Sequence, residues 1–357
     1  MWKSNEFTRR LGLATPIVQG PFGGGLSAVD LVVAVSESGG LGSFGAHHLD
    51  AAGIRDVAAQ IRARTGRAFA LNLWIPLGDS NDPQLSDAQW RAALELLRPY
   101  YEELRVPLPQ RPARFGPRFE EQIETLLEVK PPVFSFVFGV PAPAVLQRCR
   151  SAGIATLGTA TTPAEAKLLA DAGVDMIVAT GFEAGGHRVS FLTEPEQCLT
   201  GTLALVPQVV DSVRVPVIAG GGIADGRGIA AALRLGASAA QIGTAFLACE
   251  ESNASPLHRA KLFSADARRT TLTRAFTGRL ARGIHNRFID AMSGAQPAIA
   301  PYPVHQWLVG RFREAAVAAG RADLMSLWAG QGAPLLRHRH ARPLMESLVA
   351  ETDRAMG

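Results

Sequence analysis

Lysine is scarce in this chain. Lys3, Lys130, Lys167 and Lys261 are the only ones, so nearly all of the 36 basic residues are arginine. The arginines are scattered rather than gathered into a stripe, which argues against a nucleic-acid partner despite the formal net charge of +4. The densest basic stretch, Arg337-His338-Arg339-His340, reads as a solvated connector. Cysteine is scarce as well: Cys149, Cys198 and Cys249 are odd in number, far apart and without metal-ligand spacing. That excludes a disulfide framework, leaves no metal site to expect, and points to a reducing compartment. Long hydrophobic runs are missing. No stretch of about 18 uncharged apolar residues occurs, and Met1-Trp2-Lys3-Ser4-Asn5-Glu6 has no apolar signal core. The expectation is a soluble, cytoplasmic protein with no membrane partner.

With 47% hydrophobic and 19% charged residues, the chain has the material for a large buried core and is unlike a disordered polymer. Short apolar runs alternate with helix-like stretches, the pattern of parallel βα units. Eight strands are predicted: Pro16 to Gln19, Gly42 to Ala46, Ala68 to Trp74, Val133 to Phe138, Ala155 to Thr159, Met176 to Ala179, Pro216 to Ala219 and Ala240 to Gly243. Between them lie amphipathic helices such as Pro163 to Ala172, closed by Gly173, and Gly226 to Leu235, closed by Gly236. Eight such units close into a (β/α)₈ TIM barrel more naturally than into an open sheet, whose strand order must reverse at a switch point. Barrels of this class exceed about 250 residues when they carry insertions, so the length suits one elaborated domain as well as two.

Two stretches interrupt the repeat, Pro76 to Lys130 and Glu251 to Pro303. Both exceed the usual βα connection of about 2 to 6 residues, and long connections are usually functional. Both follow strand ends on the face where barrel active sites sit. The expected division is a barrel of residues 1–77, 129–250 and 304–357, with a small inserted lid subdomain of residues 78–128 and 251–303.

The densest chemistry is Thr180-Gly181-Phe182-Glu183-Ala184-Gly185-Gly186-His187-Arg188, directly after the sixth strand. The small residues let backbone pass close to a planar ligand, and His187 can take a proton near neutral pH. A tight turn with a structural histidine explains the same letters. After the seventh strand comes Ala219-Gly220-Gly221-Gly222-Ile223-Ala224-Asp225-Gly226-Arg227-Gly228, and after the eighth Gln241-Ile242-Gly243-Thr244. Loops at these two places form the usual phosphate site of barrels, which implies a phosphorylated cofactor; the alternative is that the glycines only make turns. Gly40-Leu41-Gly42-Ser43-Phe44-Gly45 matches the dinucleotide fingerprint in letters. Its order is reversed, because a helix closed by Gly39 and Gly40 precedes it and a strand follows.

Taken together, these residues resemble the nitronate monooxygenases, formerly 2-nitropropane dioxygenases, of class I. The resemblance is carried by Pro16-Ile17-Val18-Gln19-Gly20-Pro21-Phe22, Ser38-Gly39-Gly40-Leu41-Gly42, Glu183 to Arg188 and Gly220 to Gly228. It continues through Gln241 to Phe246, Gly278-Arg279-Leu280-Ala281-Arg282-Gly283, Pro301-Tyr302-Pro303 and Trp328-Ala329-Gly330-Gln331. It implies an FMN enzyme that oxidises nitronates, or nitroalkanes, with O2 to carbonyl compounds and nitrite. It makes His187 the catalytic base. It assigns Asn72, Gly185, Gly221, Gly222, Gln241, Ile242, Gly243 and Thr244 to FMN, with Pro21, Phe22, Thr180 and Gly186 completing that set. Phe22, His187 and Tyr302 fall near the substrate. Two positions depart from the family pattern: Phe22 stands where Met is usual, and Thr180 where Gln is usual. An FMN-dependent NAD(P)H enoyl-thioester or quinone reductase of the same fold, and a non-catalytic FMN-binding protein, are the alternatives. A homodimer is left open.

Overall fold

The computed structural model describes residues 2–77, 83 and 85–357; Met1 of the expected barrel and residues 78–82 and 84 of the expected lid lie outside the described residues. The parallel strands are β1 (Ile17–Gln19), β2 (Gly42–Gly45), β3 (Phe69–Trp74), β4 (Val133–Val137), β5 (Ala155–Ala160), β6 (Met176–Thr180), β7 (Val217–Gly220) and β8 (Ala239–Ile242). Each falls within one of the eight predicted segments or overruns it by a single residue. Consecutive strands pair in parallel from β2 round to β8, and β8 pairs with β1. The ring closes at a bridge between Val18 and Leu41, where Leu41 N–H donates to the Ile17 carbonyl and Gln19 N–H to the Leu41 carbonyl, both at 2.9 Å. This is the closed (β/α)₈ barrel. The fingerprint-like glycines at 40–45 run into β2 after the helix Val29–Glu37, the reverse of a dinucleotide-binding unit.

Side chains of a strand alternate between its two faces, and the alternation sorts the core. One set, Ala70, Val133, Leu157, Met176, Ile218 and Ala239, fills the inside of the barrel, plugged at its lower end by Phe7. The other set, including Leu71, Leu73, Phe134, Phe136, Ile177 and Ala219, packs outward against the surrounding helices. Further along the strands, the inward positions change character. Asn72, Ser135, Thr159, Thr180 and Gln241 make a polar floor at the C-terminal ends of the strands.

The long stretch after β3 contains two helices, Asp87–Glu103 and Phe119–Val129. The first joins the apolar cluster of helix Val304–Ala318: the Tyr101 hydroxyl donates to the Leu308 carbonyl at 2.7 Å, and the Trp90 and Trp307 rings lie 6.3 Å apart. The stretch after β8 adds an antiparallel pair, Thr270–Thr273 with Ala281–Ile284, whose inner strand also pairs with Gly186–His187. Among the described residues, no helix is long and apolar enough to cross a membrane, and no cluster of potential metal ligands occurs.

Candidate active site

A cavity of about 720 Å³ opens above the polar floor. Of the residues singled out in the sequence, Pro21, Phe22, Asn72, Thr180, Gly185, Gly186, His187, Gly221, Gly222, Gln241, Gly243 and Thr244 line it. Ile242 and Tyr302 do not. The Ile242 side chain is buried in the core, and its carbonyl accepts the Gly20 N–H at 2.9 Å. Tyr302 packs beside Trp74, with ring centres 5.6 Å apart.

The string around His187 divides its labour. Glu183 turns away from the cavity mouth and accepts the Thr202 N–H, at 2.9 and 3.0 Å to its two oxygens. Thr202 begins the helix Thr202–Ser212, so the carboxylate also meets the positive end of the helix dipole. Arg188 is buried and donates to the carbonyls of Thr180 at 3.1 Å, Gly181 at 2.8 Å and Cys198 at 3.0 Å. Burial lowers its pKa to about 10, still far above neutrality, so it remains a cation clamping three acceptors. Between these anchors a Cβ on Gly185 would sit 2.6 Å from the Gly330 nitrogen. Only glycine fits there, and the loop is thereby pressed against Trp328-Ala329-Gly330.

His187 is set by a strand pairing: its backbone is opposite Ala281 in the small antiparallel sheet. Its Nε2 lies 2.9 Å from Thr277 Oγ1. The Thr277 hydroxyl donates to the Arg279 carbonyl at 3.1 Å, so it accepts from His187, and the proton belongs on Nε2. Nδ1 is left as the acceptor. Burial, and then the nearby positive charge of Arg279, push the His187 pKa down to about 3. The imidazole is therefore neutral at physiological pH. Trp74 stands edge-on to it with ring centres 5.0 Å apart, and Trp328 is at 5.6 Å. His47 stacks behind Trp74 at 3.9 Å, likewise neutral because burial and neighbouring positive groups disfavour its charged form. The Arg279 guanidinium lies over Phe138 at 4.2 Å and Tyr302 at 4.0 Å. Trp74, Thr277, Arg279 and Trp328 had no assigned role in the sequence. Trp74 closes a predicted strand, and Arg279 and Trp328 belong to quoted strings, but nothing local signals that they converge on His187.

The loops after β7 and β8 approach the cavity as bare backbone. Gly221 and Gly222 have φ of 111° and 70°, in the region that favours glycine. A Cβ on Gly221 would be 2.6 Å from Thr202 Oγ1, and one on Gly332 would collide with the Gly222 carbonyl. Thr244 Oγ1 accepts the Gly330 N–H at 2.9 Å, tying the β8 loop to the same wall. A polar floor, glycine walls and neighbouring positive charge suit a planar heteroaromatic group carrying a phosphate, and the volume lies in the range of about 300 to 1,000 Å³ usual for such sites.

The nitronate monooxygenase family model matches residues 5–351. The chain belongs to the nitronate monooxygenase family. It is 38% identical over 357 residues to probable nitronate monooxygenases of Staphylococcus aureus strains Newman and MRSA252, covering 100% of this chain and 99% of each relative. Among solved structures it is similar to a nitroalkane oxidase from Streptomyces ansochromogenes, with a TM-score of 0.89 and 39% identity over 98% of this chain and 99% of that one. FabK from Thermotoga maritima shares the fold at a TM-score of 0.74 and 26% identity, over 98% and 96% of the two chains. As a member of this family the protein is an oxidoreductase. The two departures from the usual nitronate monooxygenase pattern both touch the cavity. Thr180 gives its carbonyl to Arg188, and the Phe22 backbone is fixed by the Ser27 hydroxyl, with N and O both at 3.0 Å.

Proposed function

We propose that the protein is an FMN-dependent enzyme that oxidises alkyl nitronates, and neutral nitroalkanes once deprotonated, with O2 to carbonyl compounds and nitrite. The observation that carries this reading is His187: a neutral imidazole with Nδ1 free to accept, in the same cavity as the glycine loops. Asn72, Thr180 and Gln241 would hold the ring system of FMN from below. Pro21, Phe22, Gly185 and Gly186 would lie along it, and Gly221, Gly222 and the turn Gln241 to Thr244 would take its phosphate. When bound, FMN supplies the electron transfer between the substrate and oxygen.

His187 Nδ1 would accept the α-proton of a neutral nitroalkane. Thr277 keeps the ring in the tautomer that permits this. Transfer creates an imidazolium beside a nitronate, and the new anion offsets the cost that burial imposes on the charged ring. The positive charge of Arg279 favours the anion from the other side. A preformed nitronate needs the orientation and the positive field but not the base. Trp74 and Trp328 would exclude water around the reacting carbon. Residues 78–128 and 251–303 would serve as the lid, supported by the shared apolar cluster that helix Asp87–Glu103 and Phe288 form with helix Val304–Ala318. Three buried free thiols agree with a reducing, cytoplasmic setting.

Anaerobic mixing tests the reading. Ethyl nitronate or propionate 3-nitronate should bleach the flavin absorbance rapidly, and NADPH slowly or not at all. Rapid bleaching by NADPH alone would make the protein a reductase, and a flavin inert to all three would make it a binding protein.

A further inference from the structure

The cavity does not end at the reacting centre. It continues along helix Val304–Ala318, where Gln306, Val309, Gly310, Arg313 and Val317 all line it. Spacings of three and four put these residues on one helix face, and from 306 to 317 that face is roughly 16 Å long at 1.5 Å per residue. Leu26, Leu324 and Met325 line the same cavity. Gly24 and Gly310 lie at its exposed edge, where a Cβ on either would meet no atom within 4 Å. The one cation on this face is already engaged. Arg313 donates to the Gly24 carbonyl at 2.8 Å, and Glu314 supplies a partly compensating negative charge. Gln306, Glu314 and Ser326 add polar groups to the wall, and Leu26, Val309, Val317, Leu324 and Met325 supply its apolar part.

A two-carbon nitronate would leave such a slot unused. We infer that it is a subsite for the apolar tail of the substrate, so that the enzyme takes long-chain primary nitroalkanes and nitronates in preference to short ones. The inference rests on the nitronate reading for the reacting group but not for the tail, whose recognition depends only on apolar burial against Leu26, Val309, Val317, Leu324 and Met325. Each buried methylene should tighten binding about fourfold.

The test is equilibrium binding of nitroethane, nitrobutane, nitrohexane and nitrooctane to the purified holoprotein, read by tryptophan fluorescence and by the spectrum of the bound chromophore. The same series is run on Gly310→Leu, which projects a side chain into the slot and improves helix propensity at that position. Affinity should rise by about fourfold per methylene as far as nitrohexane. In Gly310→Leu the nitrohexane-to-nitroethane affinity ratio should fall at least tenfold. A flat or declining series in the parent protein overturns the inference, as does a variant with the series intact. Loss of the chromophore in Gly310→Leu would assign the slot to the cofactor and also overturn it. Tight binding of long nitroalkanes without oxidation would refute the nitronate reading and leave the tail subsite standing, so the two failures are distinguishable.

Discussion

His187 Nε2 and Thr277 Oγ1 are 2.9 Å apart although ninety positions separate them in the chain. The same Thr277 hydroxyl reaches the Arg279 carbonyl at 3.1 Å, so one side chain links the imidazole to the turn that carries Arg279.

Replacing His187 by Asn keeps a polar side chain of similar size but removes the base. Activity on neutral nitroethane should fall by roughly 10² to 10⁴-fold, the usual contribution of a positioned general base. A substantial share of activity on preformed ethyl nitronate should remain, at unchanged FMN content. Equal losses on both substrates would show that His187 orients the anion instead of taking a proton.

The low pKa of His187 has a direct kinetic signature. A conjugate acid at about 3 means that the neutral, proton-accepting form already predominates above about pH 4. Between pH 5 and 8, kcat/KM for nitroethane should therefore show no acid limb due to His187. Stopped-flow profiles of the parent and His187→Asn proteins check this. An acid limb near pH 6.5 that disappears in the variant would contradict it.

Gly221→Val and Gly222→Val in one chain should abolish flavin retention. Both positions have positive φ, where a β-branched residue is strained, and at Gly221 the new Cβ would also strike Thr202. The ratio of flavin absorbance to protein after gel filtration measures the loss. Retention at parental affinity would place the phosphate elsewhere.

Arg188→Met should lower stability by about 3 kcal/mol, since it leaves the carbonyls of Thr180, Gly181 and Cys198 without this donor. Denaturant unfolding gives the value. Arg188→Lys should recover only part of it, because one ammonium cannot reproduce the planar fork. A Met variant as stable as the parent would mean that the clamp is dispensable.

The eight strands were legible because short apolar runs set between capped helices are a local signal. The glycine loops were legible for the same reason, as bare backbone at strand ends announces itself in letters. The small sheet that orients His187 was not. Thr270–Thr273 and Ala281–Ile284 are four residues each, and the outer one is only half-buried, so neither shows a clear alternation. The roles of Glu183 and Arg188 were hidden for a different reason: a charged residue beside a candidate base looks like chemistry, and only the fold shows that both side chains turn to the backbone. Tyr302, expected near the substrate, does not line the cavity itself but lies against Trp74, which does.

The inward-turned charges of Glu183 and Arg188 change what the six-letter string records. One side chain of Glu-Ala-Gly-Gly-His-Arg would take part in the proposed proton transfer, while the small residues line the cavity and the two charged ones anchor the ledge. A descendant that had abandoned turnover could exchange the histidine and still need the other five to fold. Sorting working members from silent ones should therefore begin at the fifth letter and at its remote partner, Thr277.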